Sequence, residues 1–410
     1  MTSHWIPEQS ASHIELLESS GQSQCRAQFD AILVPTNRPV EFLSACISLA
    51  QQTAIRLIVV CSKKVNKRQV IELAERENVE VFAVDLPEYP ANLLLGTSFG
   101  TSTDEDLLAA SSGKTRDLST KRNLGLVIAK MLGWRRLMFL DDDIYGISAK
   151  DVDILAAALK NHNVSVLIPR YYPDNSVACH AFRVGGGEQG KFAGAGGMGV
   201  RCDRDELSFF PNIYNDDWFF SSEEAASRKI AVVGESQQLE YDPFGDPNRA
   251  VKEEFGDLLA EGLYARLDAR LGIADVDEAY WSAFKESRRD FLSRVAELLA
   301  TRRVSDLGND EGREVRVAQV SIRAAQEQLE RIDPGLCQKF IMLWQADLVE
   351  WRRYLIGLPR FESVGSALEY LGLDYAVMAR SATGVRRDTE RRVESLGRHT
   401  AFKTPLRGGC

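Results

Sequence analysis

Three consecutive carboxylates, Asp141-Asp142-Asp143, follow directly on the apolar run Leu137-Met138-Phe139-Leu140. Neighbouring carboxylates repel, and each raises the pKa of the next unless a cation stands beside them. A divalent cation removes the conflict: Mg2+ and Mn2+ take oxygen ligands and commonly join one or two carboxylates to a diphosphate. If a strand runs on through the triplet, Asp141 and Asp143 share a face and Asp142 points away. Asp141 and Asp143 are then the expected metal ligands. An acidic turn with no ligand explains the same three residues.

A second acidic pair, Asp216-Asp217, stands before Trp218-Phe219-Phe220. A carboxylate near an acceptor hydroxyl can take its proton; Asp217 is the first choice for that base and Asp216 the second. The pair could instead cap a helix beginning at Trp218. Lys121 and Arg122 fall in the first turns of a helical pattern, where a basic residue opposes the helix dipole. Either could make a charge-assisted contact to phosphate. Arg38, within Pro35-Thr36-Asn37-Arg38-Pro39, is a further phosphate candidate, although loop arginines are mostly solvated. His180 could complete a metal shell, and Tyr241 and Asp242 could close the site from the C-terminal side.

The elements needed to position these groups can be read in order. Phe29 to Val34 is a strand pattern that Pro35 to Pro39 should break, opening a loop. Glu41 to Gln52 reads as a helix, Arg56 to Cys61 as a buried strand ending at Ser62, Lys67 to Glu77 as a helix, and Val79 to Val84 as a third strand. Strands alternating with helices imply a parallel α/β sheet, in which ligands sit beyond the carboxyl ends of the strands. Residues 87–118 read as a long loop with a short helix, and Ser119 to Leu132 as the helix carrying Lys121, Arg122 and Asn123. Val164 to Ile168 and Lys229 to Gly234 are further strands. The glycine-dense stretch from Gly185 to Gly199 reads as a loop able to wrap a ligand closely, but it matches neither dinucleotide nor P-loop spacing.

From about residue 249 long amphipathic patterns take over, including Tyr280 to Ala300, Val315 to Ile332 and Leu336 to Leu355. The expected division is a loose segment over 1–27, an α/β domain over 28–248, a helical region over 249–378 and a flexible Arg-rich tail over 379–410. The helical region is either a separate bundle or packed on the sheet, and is a possible route to a homo-oligomer.

The chain has 410 residues with 44% hydrophobic and 27% charged side chains, ordinary for a globular protein. A net charge of −9 argues against general nucleic-acid binding. Seven scattered cysteines, none in a Cys-x-x-Cys pair, suggest a reducing compartment rather than a disulfide framework. No signal peptide and no transmembrane stretch is expected, which points to the cytoplasm.

Taken together, the motifs resemble the GT-A fold of nucleotide-sugar glycosyltransferases, in particular the inverting family 2 type. Val34-Pro35-Thr36-Asn37-Arg38 is similar to that family's opening segment. Lys121-Arg122-Asn123 is similar to its Ala-Arg-Asn element, Asp141-Asp142-Asp143 to its Asp-x-Asp strand end, and Asn215-Asp216-Asp217-Trp218 to its Glu-Asp element. The likeness spans roughly residues 28–245. It departs where Cys61-Ser62 replaces an Asp that holds the base, and where Asp216 replaces Glu.

The resemblance implies a GT-A type, mostly parallel sheet flanked by helices, and a Mn2+- or Mg2+-dependent transfer of a sugar to an acceptor hydroxyl. It implies inversion, with a nucleoside-diphosphate sugar as donor; UDP- is favoured over GDP-, with the base left open. Pro35, Thr36, Arg38, Ser62, Lys121, Arg122, Asn123, Asp141 and Asp142 would hold the nucleotide-sugar, Asp143 and Asp141 the metal, with Asp217 and Asp216 catalytic. A nucleotide-sugar mutase on the same fold, which also carries Pro-Thr-x-Arg and an Asp triplet, and a non-catalytic nucleotide-sugar-binding scaffold are the alternatives.

Overall fold

A computed structural model describes residues 9, 12–20, 27–86, 98–111, 117–170, 176–188, 192–273, 276–302 and 308–380. The expected Arg-rich tail from residue 381, half of the long loop over 87–118, and Cys25 and Cys410 lie outside them.

Among the described residues ten strands form the sheet: β1 (Leu17–Ser19), β2 (Ala31–Thr36), β3 (Leu57–Cys61), β4 (Val81–Asp85), β5 (Arg136–Leu140), β6 (Ile144–Tyr145), β7 (Val164–Pro169), β8 (Gly197–Arg201), β9 (Ile230–Gln238) and β10 (Asp374–Met378). The helices are α1 (Ser44–Thr53), α2 (Lys67–Glu77), α3 (Gly100–Thr103), α4 (Glu105–Ala110), α5 (Asp117–Leu132), α6 (Ala149–Ala158), α7 (Val177–Val184), α8 (Asp216–Ala226), α9 (Arg249–Asp268), α10 (Glu278–Thr301), α11 (Asn309–Arg331), α12 (Pro334–Ile356) and α13 (Val364–Tyr370).

The strand order is β1-β9-β7-β8-β5-β2-β3-β4-β10, with β6 hydrogen-bonded to β9 off this path. Pairing is parallel except where β8 lies antiparallel between β5 and β7, where β10 closes the edge on β4, and at β6. The fold is thus α/β, with a mostly parallel mixed sheet flanked by helices. β2 pairs with β3 on one side and β5 on the other. The chain's direction of travel reverses there, and the ends of such strands open a crevice for ligands.

Local sequence accounts for the frame. Leu57-Ile58-Val59-Val60-Cys61 is buried along its whole length, as a strand covered on both faces should be. α2 starts on a capping box between Asn66 and Gln69. All residues of α5 except Leu118 and Leu132 are buried. α5 lies tight on β2: a Cβ on Gly125 would come within 2.8 Å of Leu33 Cδ2.

Three expectations need correction. Pro35 does not break the first strand but lies within β2, opposite Val60. The pairing of β5 with β2 has already ended at Leu33, so the missing N–H of proline interrupts nothing there. The glycine-dense stretch is not all loop, because its end forms β8 in the middle of the sheet. Glycine suits that strand: a Cβ on Gly199 would meet Ser165 Oγ at 2.7 Å and the Phe29 ring at 2.8 Å.

The supposedly loose N-terminal segment contributes β1, parallel to β9, and buries His13 among aromatic rings. Of the two arrangements left open for the helical region, the one packed on the sheet is found. Side chains of α9 to α12 belong to one continuous core with those of β5, β7 and α5, and β10 returns to the sheet from beyond α13.

Candidate active site

The carboxyl ends of β2, β5 and β9 converge with the first turns of α5 and α9 around a cavity of about 320 Å³. Its wall includes Pro35, Thr36, Arg38, Lys121, the three aspartates, Gln238, Tyr241 and Arg249. A second cavity of about 210 Å³ adjoins it and shares Leu118, Asp141 and Gln238. Arg122, Phe192, Tyr214, Asp216, Asp217 and Trp218 face this second space.

β5 ends at Leu140, and the three aspartates follow in a turn. The strand-based alternation therefore does not reach them, and the expected pairing of Asp141 with Asp143 gives way to another. Asp142 Oδ1 lies 3.0 Å and Asp143 Oδ2 2.9 Å from the same atom, Arg38 Nη1. Asp142 is held from behind by the Thr36 hydroxyl, which donates to Oδ2 at 2.6 Å, while the Gln238 amide donates at 3.1 Å to the same Asp143 Oδ2 that faces Arg38. Burial pushes the Asp142 carboxyl up to about 6, against the opposing pull of Thr36 and Arg38. The end of β9 is tied to the same turn, since Leu239 N donates to Asp143 O at 2.8 Å.

Asp141 turns instead to Arg122, whose Nη2 donates to both carboxylate oxygens at 3.1 and 3.0 Å. Arg122 Nη1 reaches Asp216 Oδ1 at 3.3 Å, and the guanidinium lies over the Phe210 ring. Arg122 thus bridges the two acidic motifs that the sequence singled out. It is buried, and both its terminal nitrogens hold carboxylates, so the expected phosphate contact is not its place.

Lys121 is likewise buried and borders the first cavity, but its ammonium is fully engaged. Its three protons go to Thr36 O at 2.7 Å, Ser62 Oγ at 2.8 Å and Asp117 Oδ2 at 3.0 Å. Lys121 and Ser62 therefore pin the ends of β2 and β3 together rather than face a ligand. Asn123 is fully buried and exchanges two hydrogen bonds with the Phe210 backbone, at 2.9 and 2.8 Å. It fixes the approach to Asp216 and takes no part in either cavity.

Asp217 borders the second cavity and accepts from Ala195 N through Oδ2 at 2.9 Å. Burial, followed by the neighbouring Asp216 charge, lifts its carboxyl to about 6, with Arg122 opposing. A carboxylate poised there holds or gives up a proton near neutral pH, as a general base requires. Among the described residues Asp216 Oδ2 and Arg122 Nε have no hydrogen-bond partner. Both residues belong to the wall of the second cavity, though these two atoms are themselves buried.

The sequence reading left two residues unweighted. Arg249, at the start of α9, and Gln238, at the end of β9, both line the first cavity. Arg249 lies over the Tyr241 ring and is ion-paired with Glu253 at 2.5 Å. His180 Nε2 meets Tyr241 Oη at 2.8 Å from behind. His180 itself is fully buried and stands outside the cavity wall, so it supports Tyr241 rather than the aspartates. An arginine opening an amphipathic helix carries no sequence signal of what it faces.

The donor set fits a hard divalent cation. Two carboxylate oxygens converge on one point, and the nearby Gln238 Oε1 has no partner among the described residues. No three His, Cys, Asp or Glu side chains among the described residues gather as a metal cluster. Such a cation would therefore take its remaining ligands from diphosphate and water, as Mg2+ and Mn2+ habitually do.

Among the described residues no helix is long and apolar enough to cross a membrane. No protein-family model matches this chain, and no curated protein sequence does. Among solved structures, a mannosyltransferase from Pyrobaculum calidifontis, in complex with GDP-Man and Mn2+, is similar over 81% of this chain and 90% of its own, at 10% identity and a TM-score of 0.41. A likeness of that size carries no argument about chemistry.

Proposed function

We propose that this chain is a GT-A type glycosyltransferase that moves a sugar from a nucleoside-diphosphate sugar to an acceptor hydroxyl, with inversion. One observation carries the reading: two cavities meet at Asp141, one walled by the acidic turn and arginines, the other by a carboxylate lifted to about 6. The donor's diphosphate occupies the first cavity, where Arg249, Tyr241 and Arg38 supply charge-assisted and hydroxyl contacts. Mn2+ or Mg2+ on Asp142 and Asp143, when bound, offsets the negative charge that builds on the diphosphate as the glycosidic bond breaks.

The sugar lies across Asp141, and the acceptor enters the second cavity against Trp218 and Phe192. Asp217 takes the proton from the acceptor hydroxyl as that oxygen attacks the anomeric carbon from the side opposite the leaving group. Arg122 opposes the upward push that burial gives the Asp141 carboxyl and holds Asp216 in register with it, coupling the geometry of the two cavities.

The test is incubation of the chain with UDP- and GDP-linked hexoses and Mn2+, following release of nucleoside diphosphate and the fate of the sugar. Release that depends on Asp217 and on the divalent ion supports the proposal. Conversion of the donor to an isomer with no release would instead make the chain a mutase. Stoichiometric binding without turnover would make it a scaffold.

A further inference from the structure

We infer that Arg38 is a resident stand-in for the divalent cation, which must be displaced before metal can bind, so that metal and nucleoside diphosphate enter together. The inference rests on the glycosyltransferase reading of this cavity. A single atom, Arg38 Nη1, occupies the point on which Asp142 Oδ1 and Asp143 Oδ2 converge.

The two partners of this contact differ in freedom. The carboxylates are only 7% and 8% exposed, and each has a second partner: Thr36 holds the other oxygen of Asp142, and Gln238 shares Asp143 Oδ2 with Arg38. The Arg38 side chain is 39% exposed and reaches in from the loop after β2, resting on the Phe42 ring. The cationic member is therefore the one able to leave.

Charge favours the exchange. Arg122 is committed to Asp141 and Asp216, so Asp142 and Asp143 together face one guanidinium, that of Arg38. A divalent cation balances that pair, and the guanidinium released is already at the wall of the cavity that would take a diphosphate. Without an anion in the cavity, metal binding sends Arg38 into water and returns nothing for the lost contact. With a diphosphate present, the same guanidinium gains a charge-assisted partner. Metal and nucleotide then raise each other's affinity, and linkage requires the factor to be equal in both directions.

The experiment is Mn2+ binding measured by electron paramagnetic resonance on wild type, Arg38→Gln and Arg38→Lys, each with and without UDP and GDP. Near-ultraviolet circular dichroism confirms that each variant is folded. Wild type should bind Mn2+ weakly alone and roughly tenfold or more tightly with the cognate nucleoside diphosphate, the weight of one partly screened charge-assisted contact. Arg38→Gln should bind Mn2+ alone more tightly than wild type and show a smaller nucleotide enhancement, keeping only the part that comes from the diphosphate's own ligation of the metal. Arg38→Lys, which keeps a cation at the acidic turn, should fall nearer wild type.

Arg38→Gln binding Mn2+ alone no more tightly than wild type, while nucleotide-dependent binding persists, overturns this inference and leaves the glycosyltransferase reading standing. No Mn2+ binding by any folded form, with or without nucleotide, overturns both.

Discussion

Replacing Arg122 with methionine separates a bridging role from a phosphate-binding one. The guanidinium makes two hydrogen bonds to Asp141 and one to Asp216, and its side chain is 3% exposed. Methionine preserves much of the volume but strands two carboxylates. Removing one partner of a buried ion pair costs about 3–5 kcal/mol. The Asp141 side chain is 26% exposed, so solvent relieves part of its share and a loss of about 3 kcal/mol is expected.

The sign of the pH dependence follows from proton binding. Burial already raises the Asp141 carboxyl, with Arg122 opposing, and without Arg122 it rises further. Between the ordinary carboxylate range and that raised value, the folded variant binds protons that the unfolded chain does not. Its stability therefore falls as pH rises through this window, and its deficit against wild type shrinks on acidification. Urea denaturation of both proteins at about pH 8 and about pH 5.5 measures the effect. A loss below about 1 kcal/mol, or an equal loss at both pH values, would refute the bridge. A stable variant that had lost only nucleotide affinity would return Arg122 to the phosphates.

Other consequences can be tested alongside. Asp217→Asn should lower kcat by about 10²–10⁴-fold with little change in donor binding, measured by steady-state kinetics. In wild type, kcat/KM should rise with pH through about 6 and then level off, because the lifted Asp217 carboxyl must be ionised to accept a proton. Arg249→Met should weaken nucleoside-diphosphate binding by about tenfold or more, read by calorimetry, even though the residue belongs to the helical part of the chain. His13 carries a different pH signature. Burial lowers its imidazole, but Asp268 and Glu261 outweigh it and raise the group to about 9. Its stabilising effect is therefore complete below about 6.5 and is lost as pH rises through about 9, a dependence that His13→Ala should abolish in thermal melts.

The frame of the sheet was legible because buried parallel strands and an amphipathic, capped helix announce themselves. Lys67–Glu77 was read to the residue, and the strand ending at Cys61 to within one. The directions of the polar side chains were not legible. α5 is buried nearly all round, so it has no polar face to say where Lys121, Arg122 and Asn123 point. Each of the three meets a partner far away in sequence: Thr36 and Ser62, Asp141 and Asp216, and Phe210.

The acidic triplet was located correctly in the chain, but its internal pairing depended on where β5 stops. An apolar run flowing into charges does not mark that residue. β8 was hidden because glycine normally weakens a strand, and only the packing of Phe29 and Ser165 against Gly199 explains its use there. Arg249 was missed since helical periodicity describes a helix's buried face and says nothing of the cavity at its first turn.

The most direct test of the central claim is a crystal structure with Mn2+ and the preferred nucleoside diphosphate. Metal density is expected between Asp142 Oδ1 and Asp143 Oδ2, with Arg38 displaced and the diphosphate facing Arg249 and Tyr241. A nucleotide bound elsewhere, or an intact Arg38 contact with both aspartates beneath a bound diphosphate, would contradict it.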